Sequence, residues 1–221
     1  MKNSKPFIFL LCGIVFGLAA FPVFAQKVEP KDIVINKRPL QDFSELLKEK
    51  IEKGEVDLDK SFKVVLEGVL TEDGKFDLQK SKFTLSEGDE QMVNVAKSGI
   101  QAIGDSGYFG YLRKLGAEKV KLTVAQDGET FSARIETEQN DENKAKTMAS
   151  GLNTLLSGIK LISKQENNKI SDDEMTIING FQVPMTDGKN VILNFALPVK
   201  TFHEILLRNL NKSENNKQSG E

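Results

Sequence analysis

Cysteine is nearly absent from this 221-residue chain: one residue, Cys12, lies in the N-terminal 25 residues. Without that segment the protein has no thiol, which excludes disulfides, thiolate catalysis and cysteine-ligated metals. Histidine is almost as scarce, with His203 alone. The catalytic and phosphate-binding signatures G-x-S-x-G, H-E-x-x-H, the P-loop and G-x-G-x-x-G are all missing. No basic stripe or arginine cluster is present, and the formal charge is −2, becoming −4 when Lys2 and Lys5 are removed. That balance argues against nucleic acid as a partner. The sequence therefore offers no catalytic residue, no cofactor and no metal ligand set, and the expectation is a non-enzymatic protein.

What is present begins with an export signal. Lys2 and Lys5 precede residues 7–25, which carry no charge, and Pro22 ends the densest apolar stretch. Val23-Phe24-Ala25 suits a signal peptidase, so cleavage before Gln26 is expected. Leu11 before Cys12 does not fit a lipoprotein site. If retained, the nineteen uncharged residues reach roughly 28 Å as a helix, enough for an inner-membrane anchor. Either way the remainder is expected outside the cytoplasm, in the periplasm or secreted, with no membrane span after signal cleavage.

Residues 26–40 are polar with two prolines and read as an extended arm. A helix is expected from Asp42, with Phe43, Leu46, Leu47 and Ile51 on one face and Gly54 at its end. Then comes alternation: Phe62, Val64, Leu66, Gly68 and Leu70, an Asp73-Gly74 turn, and a return through Phe76, Leu78, Phe83 and Leu85. A helix opened by Ser86 or Asp89 follows, with Met92, Val93, Ala96, Ile100 and Ile103 inward.

The same order recurs. Val120, Leu122 and Val124 alternate, Asp127-Gly128 turns, Phe131, Ala133 and Ile135 return, and a helix is expected over 141–156. A third copy runs through Ile177, Phe181 and Val183, turns at Asp187-Gly188 and returns through Val191, Leu193, Phe195 and Leu197. Its helix carries Val199, Phe202, Ile205, Leu206 and Leu210. Three strand–Asp-Gly–strand–helix units predict an α+β fold: antiparallel hairpins with helices packed on one face of the sheet. Residues 211–221 read as a disordered polar tail.

Residues 43–104 carry FSELLKEKIEKG, then FKVVLEGVLTEDGKFDLQKSKFTLSEGDEQMVNVAKSGIQAIG. This stretch resembles the C-terminal domain shared by TonB and TolA envelope proteins, best in the G-V-L-T-E-D-G-K core and the acidic helix start at Gly88-Asp89. Ser86-Glu87-Gly88 stands where that family has Ser-Ser-Gly. The resemblance implies a periplasmic domain over residues 41–117 that contacts an envelope protein partner by edge-strand pairing. Residues 118–210 would add two further units, with the joint at 105–118.

Two function classes follow: a cell-envelope protein that binds other proteins, or a periplasmic binder of small molecules or lipids with a pocket between sheet and helices. Tyr108, Phe109 and Tyr111 form the candidate partner surface, since aromatics are enriched at interface hot spots; filling the core between units is the alternative. His203, between Phe202 and Glu204, reads as a surface or satisfied helix histidine. The clusters Asp172-Asp173-Glu174 and Gly88-Asp89-Glu90 lack a calcium-loop pattern and read as helix caps or solvated loops.

Overall fold

The structure, a computed structural model, describes residues 34–162 and 171–218. The expected export signal and most of the expected arm lie outside the described residues. Twelve elements follow in order: α1 (Arg38–Glu52), β1 (Phe62–Val69), β2 (Lys82–Gly88), α2 (Glu90–Asp105), α3 (Gly110–Lys114), β3 (Lys119–Gln126), β4 (Thr130–Glu138), α4 (Glu142–Ile162), α5 (Asp172–Gly180), β5 (Met185–Asp187), β6 (Asn190–Pro198) and α6 (Val199–Gln218). The strands form one six-stranded sheet in the order β2-β1-β3-β4-β6-β5, with every neighbouring pair antiparallel. The fold is α+β, as the alternation predicts. No gap in the sheet falls at 105–118, because β1 pairs directly with β3 along eight residues.

One face of the sheet is apolar. Val64 and Leu66 of β1 align with Val124 and Leu122 of β3, and these with Ala133 and Ile135 of β4 and Phe195 and Leu193 of β6. All belong to one core cluster that also contains the buried residues of α1, α2, α4, α5 and α6. Phe202 of α6 stacks on Phe131 of β4 with ring centroids 3.7 Å apart, which fixes α6 against the sheet. The other face is mostly polar, with Val65 and Ile192 as its buried apolar residues. Across four strands Lys82, Glu67, Lys121 and Glu136 are successive neighbours, so the charges alternate in sign.

Three expectations need correction. The arm does not extend to residue 40: α1 begins at Arg38, with Pro39 in the first turn, where its missing N–H costs no helical hydrogen bond. Leu40 is thereby buried, while Leu46 lies 43% exposed on the outer side. The first strand of the third unit is not Ile177 to Val183. Ser171 and Glu174 form a reciprocal capping box that starts α5, which buries Ile177 and Ile178 from a helix. Only Met185–Asp187 remains as strand. Finally, α6 runs to Gln218 and takes in most of the expected tail; no glycine or proline interrupts it before Gly220.

The Asp-Gly turns also differ among themselves. At Asp187-Gly188 the loop is two residues, Gly188 and Lys189, with Asp187 paired to Asn190 and Gly188 at φ +56°. Asp127 closes its turn by accepting the backbone N–H groups of Glu129 and Thr130. Asp73-Gly74 also makes a tight turn, with Gly74 at φ +75°, the Thr71 N–H donating to the Lys75 carbonyl and Leu70 bridged to Phe76, but a longer connection then leads to β2 and Phe76 enters the core. Phe76 lies against Phe109 at 4.9 Å and occupies space left open by Gly68 and Gly104.

Candidate functional site

Between α1, α2, α6 and the sheet lies a cavity of about 90 Å³. Phe43 and Leu47 reach it from α1, Met92, Ile100 and Ile103 from α2, and Phe62, Val124 and Phe131 from the strands. Each of these is buried. Gly99 keeps α2 close to α1, since a Cβ there would stand 3.2 Å from the Phe43 ring. Four lining residues are only half-buried: Leu58, Val95, Ala96 and His203. They mark the mouth, between the 53–61 loop, α2 and α6.

Gln126 and His203 are the polar side chains of this lining. Gln126 ends β3 on the apolar face, in phase with Val120, Leu122 and Val124, and is 3% exposed. Its Nε2 donates to the carbonyls of Leu58 at 2.6 Å and Lys60 at 3.1 Å. These two hydrogen bonds fix the 53–61 loop over the cavity and turn Oε1 toward His203 Nε2, 3.0 Å away. Because Oε1 can only accept, His203 Nε2 must carry the hydrogen. In the neutral ring Nδ1 is then an acceptor, and it faces Asp59 Oδ1 at 3.4 Å. Burial lowers the His203 pKa below its ordinary value, while the Asp59 carboxylate acts in the opposite direction.

His203 is thus a half-buried helix histidine, held through Nε2 by Gln126, that also lines a cavity. Gln126 was not singled out by the sequence reading. Its signal was nevertheless there: a polar residue at a core-facing position of a strand has to find partners.

The aromatic trio does not form a surface. Phe109 is fully buried and Tyr108 is 7% exposed, both inside the core, and Tyr111 is half-buried. The physical reason is the inserted loop: Phe76 packs on Phe109, and Gly74 lies so close to Gly110 that a Cβ would clash with its backbone. Burial raises the Tyr111 pKa.

The two acidic clusters are helix starts. Asp89 caps α2 by accepting the Met92 N–H at 3.0 Å. Asp173 on α5 accepts from Arg208 at 2.7 Å and from Asn209 at 3.3 Å, tying α5 to α6. Among the described residues, no group of three or more His, Cys, Asp or Glu side chains is placed to hold a metal ion. No helix among them is long and apolar enough to cross a membrane.

The sheet edges are modest. β2 carries a bulge that leaves Thr84 without a partner between Phe83 and Leu85, and it starts with Lys82. β5 is three residues long and follows Pro184. Bulges, lysines, prolines and shortness all limit what an edge offers a partner strand.

No protein-family model, curated protein or solved structure matches this chain.

Proposed function

We propose that the protein works outside the cytoplasm as a non-enzymatic binder of a small apolar molecule, held between the helical layer and the sheet. The observation that carries this reading is the cavity: apolar walls from six elements, an opening at Leu58, Val95, Ala96 and His203, and a polar pair, Gln126 and His203, joined at its rim. Ligand sites share this design, mostly apolar with a few placed polar groups.

Size constrains the occupant. At about 90 Å³ the space is smaller than the roughly 150 Å³ apolar cavity that accepts benzene. It suits a short chain segment of about four methylenes, which at about 0.8 kcal/mol each contributes about 3 kcal/mol. That alone supports weak affinity, about millimolar or poorer. The rest of the molecule must lie at the mouth and add contacts there.

The test uses 1-octanol as an uncharged chain, followed by NMR of the full mature protein. Octanol is expected to shift resonances of Met92, Ile100 and Ile103 saturably. Ala96→Phe, at the half-buried mouth, is expected to weaken this at least about tenfold while leaving the melting temperature close to wild type. Unsaturable shifts, or equal binding by the Ala96→Phe variant, would dismiss the pocket.

A further inference from the structure

We propose that the mouth of this cavity selects a primary ammonium head group, so that the ligand class is an alkylamine and not a fatty acid. This inference rests on the reading of the cavity as a ligand pocket.

The argument starts from Gln126. Its amide nitrogen is committed to two loop carbonyls, which leaves its oxygen for His203 and fixes the hydrogen on Nε2. The neutral imidazole therefore turns a lone pair outward from Nδ1. Opposite that lone pair, 3.4 Å away, is a carboxylate oxygen of Asp59, a residue 88% exposed at its side chain, whereas that of His203 is 12% exposed. Two acceptors that face each other repel weakly, and a donor shared between them turns repulsion into two hydrogen bonds. A primary ammonium has three donors on a compact positive head. Its alkyl chain would run past His203 into the apolar cavity.

The charge around the mouth favours the same sign. The 53–61 loop contributes Asp59 and Asp57, and the latter also accepts the Asp59 N–H at 3.0 Å. Lys60, 3.7 Å from Asp57, offsets part of that charge. On the sheet side the facing group is Gln126, which is neutral. From α1 and α2 the cavity receives Phe43, Leu47, Met92 and Val95, which carry no charge. On α6 itself the neighbours Lys200 and Glu204 are exposed, and Glu204 lies 3.9 Å from Arg208. A carboxylate head placed at Nδ1 would meet Asp59 directly and find no donor on the neutral ring. A proton can do what the ammonium does, by making Nδ1 itself a donor, so the two compete for one position.

The experiment compares octylamine, 1-octanol and octanoate on the full mature protein at neutral pH. His203 is the sole histidine, so its ring signals need no assignment. Octylamine is expected to bind about fivefold to tenfold more tightly than octanol, as for one charge-assisted contact at a part-exposed site, with octanoate weakest. It is also expected to move the midpoint of the His203 titration to lower pH. Asp59→Asn should bring the affinity for octylamine down to that for octanol. If the three probes bind equally, or if the amine keeps its advantage in Asp59→Asn, the head-group assignment fails and the pocket stands. If none of them binds, the pocket reading fails first.

Discussion

His203 meets three environments at once: an apolar cavity, the side-chain oxygen of Gln126 and the carboxylate of Asp59. Burial is the strongest of these influences, and it favours the uncharged ring. In the unfolded chain the ring is in water with its ordinary pKa of 6.5. As pH falls through that value the unfolded state takes up its proton first, and the native state follows only at lower pH. The stability associated with His203 is therefore complete above 6.5 and is lost as pH falls toward the lower native value. His203→Gln keeps an amide donor and cannot ionise. Urea unfolding at steps from neutral to mildly acidic pH should give a flatter stability profile for this variant than for wild type. Identical slopes would show that the imidazole does not titrate differently on folding. Sequence alone placed His203 on the last helix and read it as a surface or satisfied histidine. It did not supply the partners, because Gln126 is 77 residues away along the chain and the two meet only when α6 lies across the sheet.

Elements were legible where local signals agreed. Strict alternation in β3 and β4 and a cap at Ser86 or Asp89 are local signals; the strands are found in place, and Asp89 is the cap. They failed where two local codes overlapped. Ile177, Ile178, Phe181 and Val183 alternate loosely enough to pass as a strand, yet Ser171 and Glu174 close a capping box that commits the preceding turn to helix. The first hairpin was legible only at its turn, where Leu70 bridges Phe76 across Asp73-Gly74. Beyond that turn Phe76 acts as a plug, and it fits because Gly68 and Gly104 present no side chain to it. A Cβ on Gly104 would lie 2.2 Å from the Phe76 ring. Gly104→Ala should therefore destabilise the protein by about 1–3 kcal/mol, the usual cost of overpacking a core, despite the better helix propensity of alanine. Thermal or urea unfolding of this variant checks the sign. A stabilised protein would mean that the plug shifts freely.

The whole molecule is organised by one sheet and one core. The joint expected at 105–118 is instead filled by Tyr108, Phe109 and Leu112, all buried in the same cluster as the last helix. The first hairpin and the later units should then unfold together. Tyr108 and Tyr111, the two tyrosines of the chain, sit in that segment and report on it without labelling. Denaturation followed by tyrosine fluorescence and by far-ultraviolet circular dichroism should give coincident transitions. An earlier tyrosine transition would show that residues 41–117 fold as a separate unit.

The sequence by itself determined the α+β class, the hairpin-plus-helix rhythm, the apolar sheet face and the poverty of catalytic chemistry. Those follow from composition and from side-chain periodicity, which act over a few residues. Only the tertiary structure decided that the aromatic trio is interior, that the third unit begins with a helix, and that Gln126, His203 and Asp59 meet at the rim of an apolar cavity. These depend on which distant surfaces come into contact. A buried polar group takes its partners from wherever the fold brings them, and that choice is not written in the residues beside it.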